Sequence, residues 1–259
     1  MPEITSHKQG TPSWVDLGTT DQPAAKRFYG SLLGWSWDDS DMGNGEFYSM
    51  AKLKGRSAAA VFTQRADERE MGVPPHWSTY ITVDDVDATT AQVEEVGGKV
   101  VAPPFDVFDS GRMSMITDPT GAFVSLWQPK SHIGAEIMNE PGALAWSELI
   151  TDDAEKAAEF FVKLLGVGLV RQEQPMQYTM IEVGGRAVGG FFQKPPEEAA
   201  IPNMWALYFA VPDCDSAAKK AESLGGRVIV PPMDTPGGRF ATLQDPQGAV
   251  FGVIKQNVR

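Results

Sequence analysis

The chain has 259 residues, of which 42% are hydrophobic and 22% are charged, and its formal charge is −12. This composition is ordinary for a globular protein of one large or two average domains. The negative charge argues against nucleic acid and anionic membranes as partners, because both require a cationic face. Cys214 is the single cysteine, so no internal disulfide can form, and three histidines are too few for a usual structural zinc site.

The sequence has no apolar stretch of about 18 residues, which predicts that no segment spans a membrane. The polar segment Met1–Gly10 lacks the apolar centre of a secretion signal. Together with the single cysteine, these features predict a cytoplasmic protein.

The first predicted unit begins with a short alternating strand at Trp14–Gly18. A helix is expected after Asp21, with Pro23 in its first turn, where proline is tolerated, and with Gly34 at its end. Further strands follow, and one of them contains Tyr48–Met50.

The second predicted unit opens with the strand Trp77–Val83 and continues with a weaker helix from Val86 to Gly97. Two or three strands close the unit. The turn Asp118–Gly121 joins the last two of them, and the final strand contains Phe123–Trp127.

The second half of the chain repeats these features in the same order. Trp14–Leu17 returns as Trp146–Leu149, and the helical residues 26–34 return as 158–166. So many ordered matches indicate an internal duplication. The further matched segments are Tyr48–Met50 with Tyr178–Met180, Trp77–Val83 with Trp205–Val211, and Asp118–Gly121 with Asp245–Gly248.

The repeat predicts an α+β fold built from four β-α-β-β-β units. We expect the units to pair into two cup-shaped mixed β-sheets with helices on the outside. The first domain is then residues 1–130 and the second is 131–259. The four units are residues 11–63, 76–128, 143–193 and 203–255.

Alternation along the strands assigns each side chain to one face of its sheet. Val15 and Leu17 are aliphatic and are expected to pack under the helix, which turns Trp14 and Asp16 to the concave face. Each half is therefore predicted to form a cup with an aromatic lining and a single carboxylate. The predicted lining is Trp14, Asp16, Tyr48, Met50, Ser78, Tyr80, Phe123, Ser125 and Trp127 in the first cup, and Trp146, Glu148, Tyr178 and Tyr208 in the second.

A carboxylate inside such a cup is expected to have a raised pKa, since desolvation penalises its charged form. Asp16 and Glu148 are therefore candidate catalytic acids or bases. The alternative is a structural carboxylate whose hydrogen bonds come from a neighbouring hydroxyl or backbone donor. The first cup has more polar candidates than the second, so we expect the first cup to be the functional one.

Four motifs recur along the chain: Trp-x-Asp/Glu-Leu in the opening strand, Phe-Tyr/Phe with Leu-Leu-Gly in the helix, a Gly-Gly-x-Val turn, and a Gly-Arg hairpin ending in Asp-Pro-x-Gly. Together they resemble the vicinal-oxygen-chelate superfamily, which includes glyoxalase I, extradiol dioxygenases, fosfomycin-resistance enzymes and bleomycin-binding proteins. The resemblance covers nearly the whole chain. More narrowly, the chain is similar to a two-domain branch with antigen-like glyoxalase homologues, proteins labelled hydroxylases, and accessory proteins of anthracycline biosynthesis.

Catalytic members of that superfamily hold a divalent metal with His, Gln or Glu, placed early in the first strand of a unit and late in its last strand. The side chains at the corresponding positions of this chain are not usual ligands, so we predict no metal and no other cofactor. The three histidines lie outside the repeat-matched positions and are expected at the surface. The corresponding positions are Trp14, Ser78, Ser125, Trp146, Ala206 and Gly252, and the histidines are His7, His76 and His132.

The favoured hypothesis is a metal-independent protein whose cup binds a flat apolar or aromatic molecule, such as an antibiotic or a polyketide of the anthracycline type. Its role would be sequestration, self-resistance or assistance to a tailoring enzyme. The alternative is an enzyme, either a glyoxalase-like lyase or a hydroxylase or oxygenase, that uses a divalent metal or uses Asp16 or Glu148 as an acid–base group. A third interpretation fills the cups with their own side chains. Both a monomer and a homodimer are compatible with the sequence.

Overall fold

Two mixed β-sheets of eight strands each form the framework of the protein in a computed structural model, which describes residues 4–43, 45–173 and 177–257. The strands of the first sheet are β1 (Pro12–Thr19), β2 (Ser36–Gly43), β3 (Glu46–Leu53), β4 (Arg56–Thr63), β5 (His76–Thr82), β6 (Lys99–Val107), β7 (Gly111–Thr117) and β8 (Phe123–Pro129). Those of the second are β9 (Leu144–Thr151), β10 (Gly168–Gln172), β11 (Tyr178–Val183), β12 (Arg186–Gln193), β13 (Met204–Ala210), β14 (Arg227–Thr235), β15 (Gly238–Gln244) and β16 (Val250–Gln256).

The helices begin and end at the signals expected from the sequence. Asp21 caps the first helix by accepting a hydrogen bond from the backbone N–H of Ala24, and Gly34 ends it with a positive φ of 80°. No helix in the described ranges is both long and apolar enough to cross a membrane. The helices are α1 (Gln22–Leu33), α2 (Ala66–Glu70), α3 (Val86–Gln92), α4 (Ala154–Leu165) and α5 (Cys214–Ser223), with a 3₁₀ turn at Pro196–Glu198.

The elements follow the predicted β-α-β-β-β order in each of the four units, which confirms the predicted α+β fold. The order in space is β2-β3-β4-β1-β5-β8-β7-β6 in the first sheet and β10-β11-β12-β9-β13-β16-β15-β14 in the second. At the centre, β1 pairs in parallel with β4 and antiparallel with β5, and β9 makes the same pairings with β12 and β13. The two units of each half therefore join side by side into one continuous sheet.

The helices cover the outer, convex face of each sheet, and they do so across the two halves of the chain. One hydrophobic cluster joins α1 of the first unit to α5 of the fourth, and Phe28 on α1 packs edge-on against Phe251 on β16. A second cluster joins α3 to α4, where Phe160 lies directly against Gly98. The convex faces of the sheets thus share their cores, and the concave faces are left for other contacts.

A buried hydrogen-bond chain ties the halves together inside the first of these clusters. The hydroxyl of Tyr29 on α1 donates to Asp245 Oδ2 at 3.0 Å and accepts from Trp77 Nε1 at 3.1 Å. Asp245 belongs to the Asp-Pro-Gln-Gly turn of the fourth unit, and its Oδ1 accepts three backbone N–H groups of that turn. One tyrosine therefore satisfies polar groups from two different units.

Candidate functional site

The strand register fixes which side chains face each cup, the name used here for the concave face of each sheet. Asp16 lies opposite Ser78 on β5 and opposite Ala60 on β4, while Trp14 lies opposite Tyr80. Directly opposed residues share a face of the sheet. Val15 and Leu17, on the other face, belong to the cluster that contains α1.

The first cup contains a buried carboxylate held by two tyrosines. Asp16 Oδ2 accepts a hydrogen bond from the Tyr80 hydroxyl at 2.8 Å and from the Tyr48 hydroxyl at 3.0 Å. Trp14 Nε1 in turn donates to the Tyr48 oxygen at 3.0 Å. Asp16 Oδ1 is buried and has no partner within the described residues. Burial raises the pKa of Asp16 to about 6, although the two tyrosine hydrogen bonds act to lower it.

The second cup repeats this arrangement with a glutamate. Glu148 Oε1 accepts a hydrogen bond from Tyr208 at 2.6 Å, and Oε2 accepts one from Tyr178 at 2.8 Å. Trp146 Nε1 donates to the Tyr178 hydroxyl at 2.7 Å. Burial raises the pKa of Glu148, and the two tyrosine hydrogen bonds act to lower it. Each cup therefore contains the same indole, tyrosine, carboxylate, tyrosine group.

The remaining predicted lining residues lie on the same concave faces. Ser125 is opposite Tyr80, and Met50 packs in the cluster around Trp14. Phe123 lies at the outer end of β8, where 61% of the side chain is exposed. The hydrogen bonds from tryptophan to tyrosine were not predicted, although the repeat-matched tyrosines were a usable signal for them.

The segment that joins the two halves, residues 130–142, crosses the first cup, and we call it the strap. Its backbone is anchored to the sheet: Ala135 N donates to Ser13 O at 2.7 Å, and Glu136 N donates to Ser57 O at 2.8 Å. The Glu136 carboxylate also accepts the Ser57 backbone N–H at 2.6 Å. The strap is therefore bonded to β1 and to β4, the two neighbouring strands at the centre of the first sheet.

His132 is the part of the strap that reaches the aromatic lining. Its ring packs edge-on against Trp14, with 4.5 Å between ring centroids, and against Trp127 at 5.9 Å. Trp127 Nε1 donates to the His132 carbonyl at 3.0 Å. Burial lowers the pKa of His132 to about 4. The expectation that His132 lies at the surface was wrong, because its ring packs against the rings of Trp14 and Trp127 in the cup.

The two cups differ in exposure as a result. Under the strap only 3% of Trp14 and 2% of Asp16 is exposed, whereas Trp146 and Glu148 are partly exposed. Within the described ranges no contact places a comparable segment over Trp146. Tyr208 is neighboured there by Phe240 of its own sheet, at 5.9 Å between ring centroids.

Sequence comparison places this architecture among known proteins. The profile described as Glyoxalase/Bleomycin resistance protein/Dioxygenase superfamily matches residues 11–126 and 143–253. The chain belongs to this superfamily. The two matched segments correspond to the two sheets, so each half of the chain, with its two units, matches the superfamily by itself.

Two relatives cover nearly the full length of the chain. CFP32 of Mycobacterium tuberculosis (strain CDC 1551 / Oshkosh), which is named as a glyoxylase, is 49% identical over 259 residues, covering 98% of each protein. The anthracycline biosynthesis protein DnrV of Streptomyces peucetius is 37% identical over 268 residues, covering 97% of this chain and 95% of DnrV.

Solved superfamily structures share the fold at low sequence identity. The Mn(II)-bound glyoxalase from Novosphingobium aromaticivorans matches with a TM-score of 0.67 and 15% identity, over 96% of this chain and 82% of that one. The 2,3-dioxygenase LapB from Pseudomonas sp. KL28 matches with a TM-score of 0.66 and 16% identity, over 97% and 94%.

The superfamily fold implies a divalent metal inside a cup, and the side chains of this chain do not fit one. Each cup offers a single carboxylate, already bonded to two tyrosine hydroxyls, with an indole beside it. Among the described residues, no three His, Cys, Asp or Glu side chains come together as a metal-binding group. Phenol and indole groups do not replace the missing ligands of a borderline divalent ion.

The second cup also lacks the space for such ligands. A Cβ atom at Gly252, the position that corresponds to the late-strand glutamate of metal-binding members, would overlap the ring of Tyr208. A Cβ atom at Gly190 would overlap the ring of Tyr178. Tyr208, which holds Glu148, therefore occupies the volume that a metal-ligating side chain at Gly252 would need.

Proposed function

We propose that this protein binds a flat apolar or aromatic small molecule in an aromatic-lined cup, without a metal. The observation that carries the proposal is the indole, tyrosine, carboxylate, tyrosine group in both cups. Its indoles, Trp14 and Trp146, stand at positions that correspond to metal ligands in metal-binding members. Apolar walls with a few convergent polar groups are typical of sites that bind and orient a small molecule.

The chemistry of the lining favours a ligand with fused rings. Indole and phenol rings stack on aromatic partners with offset or edge-on geometry. Polyketides of the anthracycline type have such rings, and the relatives DnrV and DauV are named for anthracycline biosynthesis. The role would be sequestration, self-resistance or assistance to a tailoring enzyme. Localisation in the cytoplasm stays a prediction from the single cysteine.

The test is a titration of the purified protein with a panel of aromatic compounds, including an anthracycline, followed by tryptophan fluorescence. We expect saturable quenching by at least one fused-ring compound, because Trp146 lines a cup. Absence of quenching across the panel would count against the proposal. Elemental analysis of the native protein is the second arm, and stoichiometric Zn, Ni, Mn or Fe would contradict binding without a metal.

A second candidate function is acid–base catalysis without a metal. The raised pKa of Asp16, about 6, is close to the range in which a carboxyl group exchanges protons efficiently near neutral pH. Loss of turnover in Asp16→Asn or Glu148→Gln, with ligand binding retained, would favour this function over binding alone. The side chains of the cups disfavour a metal-dependent lyase or oxygenase, because each cup has a single carboxylate as a candidate metal ligand.

A further inference from the structure

The strap occupies the first cup in the way that a flat ligand would. The His132 ring contacts both Trp14 and Trp127, and Ala135 and Met138 pack in the cluster around Trp14. A ligand entering this cup would have to displace three backbone or charge-assisted hydrogen bonds between the strap and the sheet. The second cup keeps the indole, tyrosine, carboxylate, tyrosine group without that cost. The positions of Ser125 and Trp127 are taken there by Gly252 and Ile254.

We propose that the second cup alone takes the ligand, and that the ligand presents a protonated amine to Glu148. This inference rests on the proposed function. It assigns the two cups different roles. In the first, the strap covers Trp14 and Asp16, although Tyr48 and Tyr80 stay partly exposed, and in the second Trp146 and Glu148 are partly exposed.

The preference for an amine follows from the hydrogen bonding of Glu148. A carboxylate has about four acceptor sites, and the two tyrosine hydroxyls use one on each oxygen. In the described part of the chain, the side-chain hydrogen bonds of Glu148 come from these two tyrosine hydroxyls, and both donors are neutral. A half-buried carboxylate without a cation is costly, and a ligand ammonium group would supply the compensating charge and a further hydrogen-bond donor.

The closure of the first cup can be tested without any ligand. All seven tryptophans are in the described ranges, and only Trp37 and Trp146 are partly exposed. The others are 8% exposed or less, namely Trp14, Trp35, Trp77, Trp127 and Trp205.

Limited oxidation of the native protein with N-bromosuccinimide, mapped by mass spectrometry, should therefore modify Trp37 and Trp146. The variant Trp146→Phe should lose one oxidation event, and Trp14→Phe should lose none. His132→Gly should make Trp14 reactive, because its cover is removed. Rapid oxidation of Trp14 in the unmodified protein would overturn the inference.

Ligand selectivity is tested with an anthracycline that has a free amino sugar and with the N-acetylated form of the same compound. We expect one molecule bound per chain, with the free amine binding at least ten-fold more tightly. Glu148→Gln should remove that preference, whereas the surface control Glu159→Gln should keep it.

The outcomes separate the inference from the function on which it rests. Binding of neither compound contradicts the proposed function. Equal binding of both contradicts the amine inference alone. Two molecules bound per chain, or loss of the preference in Asp16→Asn but not in Glu148→Gln, would place the ligand in the first cup and overturn the assignment.

Discussion

The ring of Phe161 packs edge-on against Trp205, with 5.5 Å between centroids, in the same geometry that Tyr29 adopts against Trp77 at 5.3 Å. The two pairs are related by the internal repeat. Tyr29 has a hydroxyl that bonds Trp77 Nε1, whereas Trp205 Nε1 is buried and has no partner in the described structure. Asp118, the counterpart of Asp245, likewise has an Oδ2 without a partner.

Phe161→Tyr should therefore stabilise the protein. The new hydroxyl would lie where it can accept from Trp205 and donate to Asp118, as Tyr29 does for its own partners. Satisfying buried polar groups contributes about 1–2 kcal/mol, so the free energy of unfolding should rise by about that amount in urea denaturation.

The reverse change provides the control. Tyr29→Phe leaves Trp77 Nε1 and Asp245 Oδ2 without this partner, which should cost about 1–3 kcal/mol. If Phe161→Tyr were as destabilising as Tyr29→Phe, the surroundings of Phe161 and Tyr29 would not be equivalent and the prediction would fail.

Asp16→Asn should make the stability of the protein less dependent on pH. In the folded chain Asp16 keeps its proton up to about pH 6, whereas its ordinary pKa is 3.8. The folded state binds more protons between these values, so its stability falls as the pH rises through that window. The difference between these two pKa values corresponds to about 3 kcal/mol in the free energy of unfolding.

The measurement is the free energy of unfolding of both proteins at about pH 4 and about pH 7.5. From the lower to the higher pH, the free energy of unfolding of Asp16→Asn should rise by up to about 3 kcal/mol relative to that of the unmodified protein. Asp38→Asn, at an exposed position, should show no such gain. Parallel pH profiles for Asp16→Asn and the unmodified protein would show that Asp16 does not titrate as described.

Gly252→Ala should disturb the second cup through the ring of Tyr208. The added methyl group overlaps that ring, which must move away from Glu148. We expect a loss of about 1–3 kcal/mol in unfolding free energy, and weaker ligand binding. Gly237→Ala is the matched control, because the nearest atom to its Cβ would be Thr235 Oγ1 at 3.9 Å. Equal stability of the two variants would contradict the packing of Tyr208 on β16.

Binding of an amine ligand should weaken at acidic pH. Burial raises the pKa of Glu148, so this carboxyl gains a proton at a higher pH than an ordinary glutamate does. An ammonium group pairs only with the ionised form, so affinity should fall as the pH decreases through the raised pKa. Titrations at several pH values with the free amine and its N-acetylated form check this. A pH dependence shared by both compounds would contradict this prediction, because the N-acetylated form has no ammonium group to pair with Glu148.

Much of the cup geometry could be predicted because it depends on local periodicity. The aliphatic side chains of Val15 and Leu17 identify the buried face, and alternation then turns Trp14 and Asp16 to the other face. The duplication supplies a second copy of the same pattern at Trp146 and Glu148.

The strap could not be predicted in the same way. Its contacts join residues far apart in the chain, such as the bond between His7 Nε2 and Ala135 O at 2.8 Å, and no periodicity signals them. Its turn-forming residues Gly134, Asn139 and Pro141 indicate a linker and give no sign that it lies on the first cup. The expectation that the first half is functional rests on its polar residues and stays a prediction, whereas the strap over Trp14 is the observation that favours the second cup.

The strap both connects the two halves of the chain and covers part of the first cup, so two separate requirements fix its length. Adding or removing a residue between Trp127 and Ala135 would shift His132 off its seat while the anchors at Ser13 and Ser57 stayed in place. Under the proposed function, a single insertion there should uncover the first cup and give the chain two ligand-binding cups in place of one.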